Sequence, residues 1–269
     1  MIYLYAYTNF KDGLDSLRRV KVIYDNLKQE GKECEILVNE YRAQLLGKEW
    51  GLPLATTIET IKDIDAVATQ NDTIIIDSPE LLEGKVLNYP NKFKKVIYLN
   101  SRCEEIEFEG ATIIDIYNKD SIVAYKSDTI AQNNKTIFIY GDSDYEKVLL
   151  DNLETFKDKN LDLYWGIYFF IKYEDKLKSV FNEIVESQEY YELFSQYEYF
   201  ITSSIQVALD AINSGNKVLF LELKELTKCQ KNLLLKLKID IVKTIPEDIK
   251  RVNLINTNNI INNKILFNV

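Results

Sequence analysis

The sequence predicts two successive α/β domains, each built on a parallel sheet, and three observations lead there. Short apolar runs rich in Ile, Val and Tyr alternate with amphipathic stretches along the chain. A polar break, Asp128-Thr129-Ile130-Ala131-Gln132-Asn133-Asn134-Lys135, interrupts that alternation near the middle. The length of 269 residues suits about two domains of ordinary size.

In order, Ile2 to Thr8 reads as a buried strand. From Ser16 to Gln29, Leu17, Val20, Tyr24 and Leu27 fall on one helical face, and Gly31 stops the helix. Cys34 to Asn39 is the next strand, and helices are expected over Tyr41–Trp50 and Thr57–Ala68. Thr73 to Asp77 is a central strand, and Lys95–Asn100 and Thr112–Tyr117 supply two more. The polar break sets the boundary, giving domains 1–130 and 131–269. The second half repeats the pattern: strands at 136–140, 164–171, 198–202, 217–222 and 239–242, and helices at 144–156, 175–183, 189–197, 204–214 and 226–237. The halves share a pattern and not a sequence, which argues against a solenoid.

Composition narrows the chemistry. With 46% hydrophobic residues, 28% charged residues, 9 Gly and 4 Pro, the chain is neither collagen-like nor disordered. Lys+Arg 33 against Asp+Glu 42 gives −9, which argues against a nucleic-acid partner and against a broad anionic-lipid footprint. There is no histidine, so a Ser-His-Asp triad, a Cys-His pair, a His-ligated zinc and an imidazole base are all excluded. Cys34, Cys103 and Cys229 form no C-x-x-C and are expected to be small core residues in a reducing compartment. With no signal-peptide pattern and no run near the ~18 apolar residues of a membrane span, a cytoplasmic location is expected.

The strongest local signal is the strand-to-helix joint Tyr199-Phe200-Ile201-Thr202-Ser203-Ser204, with Asp210 and Gly215 beyond it. Ser203 suits an N-cap with Gln206 reaching back to it, and Gly215 suits the left-handed position after the helix. Helix-start amides at a strand's carboxyl end also suit a phosphate. Asp210 suits a ribose diol if it faces a cleft and a solvated helix position if it does not. Gly141-Asp142-Ser143-Asp144 offers a close backbone approach to phosphate or an ordinary turn, and its two acids repel a diphosphate unless their side chains turn away. In the first half, Asn9 to Ser16 joins strand to helix, and Arg18 and Arg19 oppose the macrodipole there, which hints at an anion or at pairing with an acid such as Asp15. Asp77 ends its strand where open α/β sheets place functional groups, though an Asp there also serves as a cap for the next segment. The aromatic run from Tyr164 to Phe170, with Tyr190, Tyr191, Phe194, Tyr197, Tyr199 and Phe200, is mostly core, with a sugar wall or a protein-partner surface as the alternative.

These segments resemble the GT-B superfamily of nucleotide-sugar enzymes, and within it the UDP-sugar hydrolases of pseudaminic acid biosynthesis. Gly13-Leu14-Asp15-Ser16-Leu17-Arg18-Arg19 is similar to that family's G-x-G-H-x-x-R, and Ile75-Ile76-Asp77, Gly141-Asp142-Ser143 and Ser203-Ser204 through Asp210 to Gly215 carry the rest. The chain departs from the pattern where Ser16 replaces the catalytic His, Asp15 replaces the second Gly, and Tyr7 or Thr8 stands at the early acidic position. A hydroxyl is no base near neutral pH.

The resemblance implies two Rossmann-like domains with parallel sheets facing across a cleft, with a UDP-linked sugar bound mainly by the second domain. Gly141, Ser143, Ser203 and Ser204 would hold phosphate and Asp210 the ribose, while Gly13 and Arg19 would serve the substrate from the first domain. For chemistry the candidates are Ser16, Asp77 and Asp12. No cofactor is called for and no metal is required. Hydrolysis or glycosyl transfer in surface or flagellar glycan biosynthesis is one expectation. A catalytically inactive relative that binds a protein through its aromatic surface is the other.

Overall fold

The computed structural model describes residues 1–129, 131–247 and 249. Ile130 of the polar break and the end of the second expected domain, 250–269, lie outside the described residues. One compact unit comprises Met1–Val123 and a second begins at Ala124. Residues 124–129 go with the second unit for a visible reason: Tyr125 N donates to Asp210 Oδ1 at 2.9 Å, Ser127 N to Ser214 Oγ at 2.9 Å, and Asn213 Nδ2 to the Ala124 carbonyl at 3.1 Å.

The first unit holds β1 (Ile2–Ala6), β2 (Cys34–Val38), β3 (Thr56–Thr57), β4 (Thr73–Asp77), β5 (Lys95–Asn100) and β6 (Thr112–Asp115). They form one parallel sheet in the order β3-β2-β1-β4-β5-β6. The second holds β7 (Thr136–Ile139), β8 (Asp162–Trp165), β9 (Ile184–Glu186), β10 (Tyr199–Thr202), β11 (Lys217–Leu221) and β12 (Asp240–Val242), in the order β12-β11-β10-β7-β8-β9. Counted within each unit, the first order is 3-2-1-4-5-6, the Rossmann arrangement, and the second sheet is laid out in the same way about its own central pair of strands. The strand order reverses between β1 and β4 in one unit and between β7 and β10 in the other, and these are the switch points. The register sets Ala6 level with Asp77, and Ile139 level with Thr202, at the carboxyl ends.

β1 and β4 are central because they are largely apolar, and all five residues of each are buried. Helix α1 (Asp15–Gln29) lays Leu17, Val20, Ile23 and Leu27 on the first sheet and ends at Gly31, whose φ of +73° suits glycine. Tyr24, expected on that face, is half-buried, with Lys28 Nζ 5.6 Å from its ring centre. The opposite face carries Tyr5, Ile74, Ile76 and Tyr98; in the second unit Phe138, Leu163, Ile201 and Leu219 play the same part.

The structure departs from the sequence reading where long helices were expected. Thr56-Thr57 forms β3 beside Val38, and only short helical turns at Ile61–Asp63 and Ile64–Val67 remain of the expected 57–68 helix. β-branched Thr56 and Thr57 fit a sheet edge better than a helix. The expected 144–156 helix shrinks to turns at Val148–Asp151 and Leu153–Phe156, because Lys147 is left-handed at φ +60° and Asp144 caps the later start. The expected 175–183 helix covers Glu174–Lys178, and the unanticipated strand β9 comes after it. The cysteines are not core residues: Cys34 and Cys229 are half-buried and Cys103 is exposed. Burial nonetheless pushes the Cys34 thiol up to about 11. No helix among the described residues is long and apolar enough to cross a membrane.

Candidate functional site

At the carboxyl edge of the first sheet, the chain leaves β1 and is fastened at once. Tyr7 N donates to the Asp77 carbonyl at 3.0 Å, and Asn39 clamps Thr8 by accepting from Thr8 N at 2.7 Å and donating to the Thr8 carbonyl at 2.9 Å. Asn9 Oδ1 accepts from the amides of Lys11 and Asp12, and Gly13 N closes the turn on the Asn9 carbonyl. Gly13, at φ +73°, allows the reversal into α1.

Two of the three catalytic candidates are engaged internally. The Ser16 hydroxyl donates to the Tyr7 carbonyl. Arg19 and Asp77 form a two-pronged ion pair, with Nε to Oδ2 at 2.6 Å and Nη2 to Oδ1 at 3.0 Å, both residues being buried. Burial opposes the Arg19 charge, and Asp77 outweighs it, so the guanidinium is held above its ordinary range. Arg18 pairs with Asp15 at 2.8 Å and sits over the Trp50 ring. The cations that run against the helix dipole are thus answered by the protein's own acids. Asp12, the third candidate, is exposed and accepts from Asn9 Nδ2 at 2.7 Å.

Sequence reasoning passed over Glu80 in this unit. Its carboxylate accepts the Tyr5 hydroxyl at 2.7 Å, Ser78 Oγ at 2.9 Å and Ile61 N at 3.1 Å, and Tyr98 donates to the Ser78 carbonyl at 2.6 Å. The loop after β4 is therefore fixed from below. Burial first, and then the Glu80 charge, push the Tyr5 hydroxyl far up. The Ser-Pro-Glu run at the end of a central strand was the available signal.

In the second unit, β7 leads into Tyr140-Gly141-Asp142 and β10 into Ser203-Ser204, so Gly141, Ser143, Ser203 and Ser204 all lie in the segments that flank one switch point. Gly141 has φ +148°, and among the described residues beyond its neighbours no atom lies within 4 Å of where a Cβ would stand. Gly166 is the opposite case. A Cβ there would fall 2.3 Å from the Asp142 carbonyl oxygen, and Tyr168 N donates to that same oxygen at 2.9 Å. The loop after β8 thus seats the loop after β7. The side chains of Asp142 and Asp144 are buried, turned into the fold. Asp144 accepts from the amides of Leu149 and Leu150, while burial pushes its carboxyl up. Ser143 Oγ accepts from Tyr145 N at 3.2 Å.

The helix Ile205–Asn213 is capped by Ser204, whose hydroxyl accepts from Val207 N at 3.3 Å, one residue later than expected. Ser203 Oγ donates to the Leu221 carbonyl at 2.7 Å, and Gln206 turns to Asp210 at 2.8 Å and does not reach back to the cap. Gly215 takes the left-handed position, at φ +84°. Asp210 is 0% exposed and accepts from Tyr125 N at 2.9 Å, Tyr190 Oη at 2.6 Å and Gln206 Nε2. In this geometry it ties the helix to Tyr125 and Tyr190 and offers no oxygen to a ribose. Tyr164, Tyr190, Phe194, Tyr197, Tyr199 and Phe200 are core, whereas Phe170 is exposed. Among the described residues no group of three or more Cys, Asp or Glu is placed to hold a metal ion.

No family model matches the chain, and no curated protein matches it. Among solved structures it is similar to the UDP-GlcNAc 2-epimerase of Methanocaldococcus jannaschii, at 12% identity over 98% of this chain and 97% of that one, with a TM-score of 0.49. It is similar also to E. coli heptosyltransferase WaaC with ADP, at 10% identity over 87% and 97%, TM-score 0.46. A third is the UDP-GlcNAc 2-epimerase of Neisseria meningitidis bound to UDP-GlcNAc, at 11% identity over 89% and 87%, TM-score 0.46. Scores below 0.5 at these identities say nothing of substrate or reaction.

Proposed function

We propose that the second unit binds a nucleotide-activated sugar, UDP-linked, at the carboxyl edge of its sheet, and that the chain is a binding protein of the GT-B kind acting in surface glycan biosynthesis. The observation that carries this reading is Gly141: a switch-point glycine with positive φ, nothing standing where a side chain would be, and its loop seated by Gly166. Such a turn lets a diphosphate approach main-chain amides closely, beside the start of the helix Ile205–Asn213. Asp142 and Asp144 are turned into the fold, so their carboxylates do not face a diphosphate at this turn. Ser203 and Ser204 act by shaping the turn, since their hydroxyls are engaged within it, and Ser143 stands half-buried beside it. The ribose is then held by groups other than Asp210.

Hydrolysis or glycosyl transfer has less support. Ser16 is hydrogen-bonded to its own backbone neighbourhood, and Asp77 can act as a base only by leaving Arg19 unpaired. This favours a second reading, a catalytically inactive relative that serves as an interaction module. Calorimetric titration of UDP, UDP-N-acetylhexosamines and CMP-sugars separates the two. Binding of one class, abolished by Gly141→Val, supports the nucleotide site. No heat with any of them leaves the interaction module.

A further inference from the structure

The loop after β11 brings a cation back to the turn that follows β7. Strand β10 separates β11 from β7, yet Lys224, just past the end of β11, reaches across it. Its ammonium pairs with Glu146 Oε2 at 2.8 Å and lies 5.8 Å from the ring centre of Tyr140, the residue before Gly141. Burial pushes the Asp144 carboxyl up, and the Lys224 charge is among the groups that oppose it. Lys224 thus stands over the segment 140–146, with Gly141 and Ser143 between its contacts.

Its two neighbours are held very differently. The pair with Glu146 is loose: the side chains are 53% and 65% exposed, so water screens the attraction and the lysine can leave at little cost. Tyr140 is the reverse. It is 8% exposed, and its buried Oη has no hydrogen-bond partner among the described residues, a condition that native folds seldom retain without a use. Burial pushes this hydroxyl up, and the Lys224 charge draws it the other way. A lysine ammonium carries three N–H donors, so a move from Glu146 toward Tyr140 gives Oη its donor and leaves others for a ligand.

We infer that Lys224 is the cation of the nucleotide site and that it has two positions: one on Glu146, as observed, and one on the Tyr140 hydroxyl, from which it donates to a phosphate oxygen at the Gly141 turn. This rests on the nucleotide reading and adds what main-chain amides lack, a full positive charge. Glu146 is then a built-in competitor, whose carboxylate takes the ammonium that a phosphate needs. The site therefore favours a nucleoside diphosphate or its sugar ester over a nucleoside or an uncharged sugar, which cannot displace that carboxylate. Tyr140 touches the lysine and not the ligand, which makes it a positioning residue.

The test is calorimetric titration of the full chain with UDP and with inorganic pyrophosphate, which carries the charge without base or ribose. The expected result is that Lys224→Met weakens both about tenfold or more, whereas Glu146→Gln, which removes the competitor, tightens both about threefold. Tyr140→Phe should weaken both about fivefold while its urea midpoint is no lower than the parent's, because the hydroxyl it deletes has no partner to lose. In the Lys224→Met background, Glu146→Gln and Tyr140→Phe should change nothing further, since each acts through the ammonium, whereas a purely structural tyrosine would cost as much in either background. Unchanged binding in Lys224→Met, no gain in Glu146→Gln, or a Tyr140→Phe loss that persists without the lysine overturns the inference and leaves the nucleotide reading standing. A parent chain that binds neither UDP nor pyrophosphate overturns both.

Discussion

At the scale of single residues, charges that looked available in the sequence are paired within the protein. Arg19 and Asp77 are 58 positions apart, and no local pattern joins them; the parallel register of β1 with β4 does. Asp77→Asn removes the carboxylate while the buried guanidinium stays, and the expected cost is about 3–5 kcal/mol in chemical denaturation. Replacing both partners with apolar residues should cost far less, since it is the orphaned charge that is expensive. Asp210→Ala strands Tyr125 N, the Tyr190 hydroxyl and Gln206, so a loss of about 3 kcal/mol or more is expected, with no change traceable to a ribose contact. Asp72 gives a pH signature. The Thr69 amide, first among its partners, holds its carboxyl below the ordinary 3.8. The stability it contributes is therefore present above pH 3.8 and lost as pH falls through the depressed value. Urea midpoints should fall on acidification through that range by less in Asp72→Asn than in the parent.

At the scale of elements, the central strands were legible, whereas the short β3 and β9 and many helices were not, and the strand expected over 164–171 runs only over Asp162–Trp165. Ile74-Ile75-Ile76 or Phe200-Ile201-Thr202 is too apolar to be anything but central, so β4 and β10 stand where the pattern put them. The 144–156 segment carries enough apolar residues to look helical, but left-handed Lys147, Asp158 and Asn160 divide the chain between β7 and β8. Whether Lys or Asp takes positive φ is decided by tertiary contacts and leaves no mark in the sequence. The same holds at the cap of the helix Ile205–Asn213, where two adjacent serines compete and Ser204 wins because Ser203 is drawn to Leu221. Ser204→Ala should cost about 1 kcal/mol in thermal or urea unfolding, the usual value of a lost cap. Gly166→Ala is expected to act at a distance, since its Cβ would collide with the main chain of Asp142 and push the Gly141 turn out of place. Its signature is a UDP affinity reduced more than about tenfold together with a clear loss of stability, since main-chain atoms must shift to admit the methyl group.

At the scale of the whole molecule, the twofold α/β pattern read from the sequence corresponds to two parallel six-stranded sheets, and it is connectivity that selects where each unit can hold a ligand. The candidate residues nearest the switch points, Gly13, Ser16, Asp77, Gly141, Ser203 and Ser204, were legible because strand ends are legible. Their roles were not, because a hydroxyl or carboxylate in a string of letters does not show which donor or acceptor folding brings to it. The central claim is that a nucleotide diphosphate sits against the turn after β7, and amide chemical shifts during a UDP titration test it most directly. The account predicts saturable shifts centred on Gly141, Ser143, Ser204 and Ile205, absent in Gly141→Val. Shifts confined to other parts of the chain, or a spectrum unmoved at saturating UDP, would contradict it.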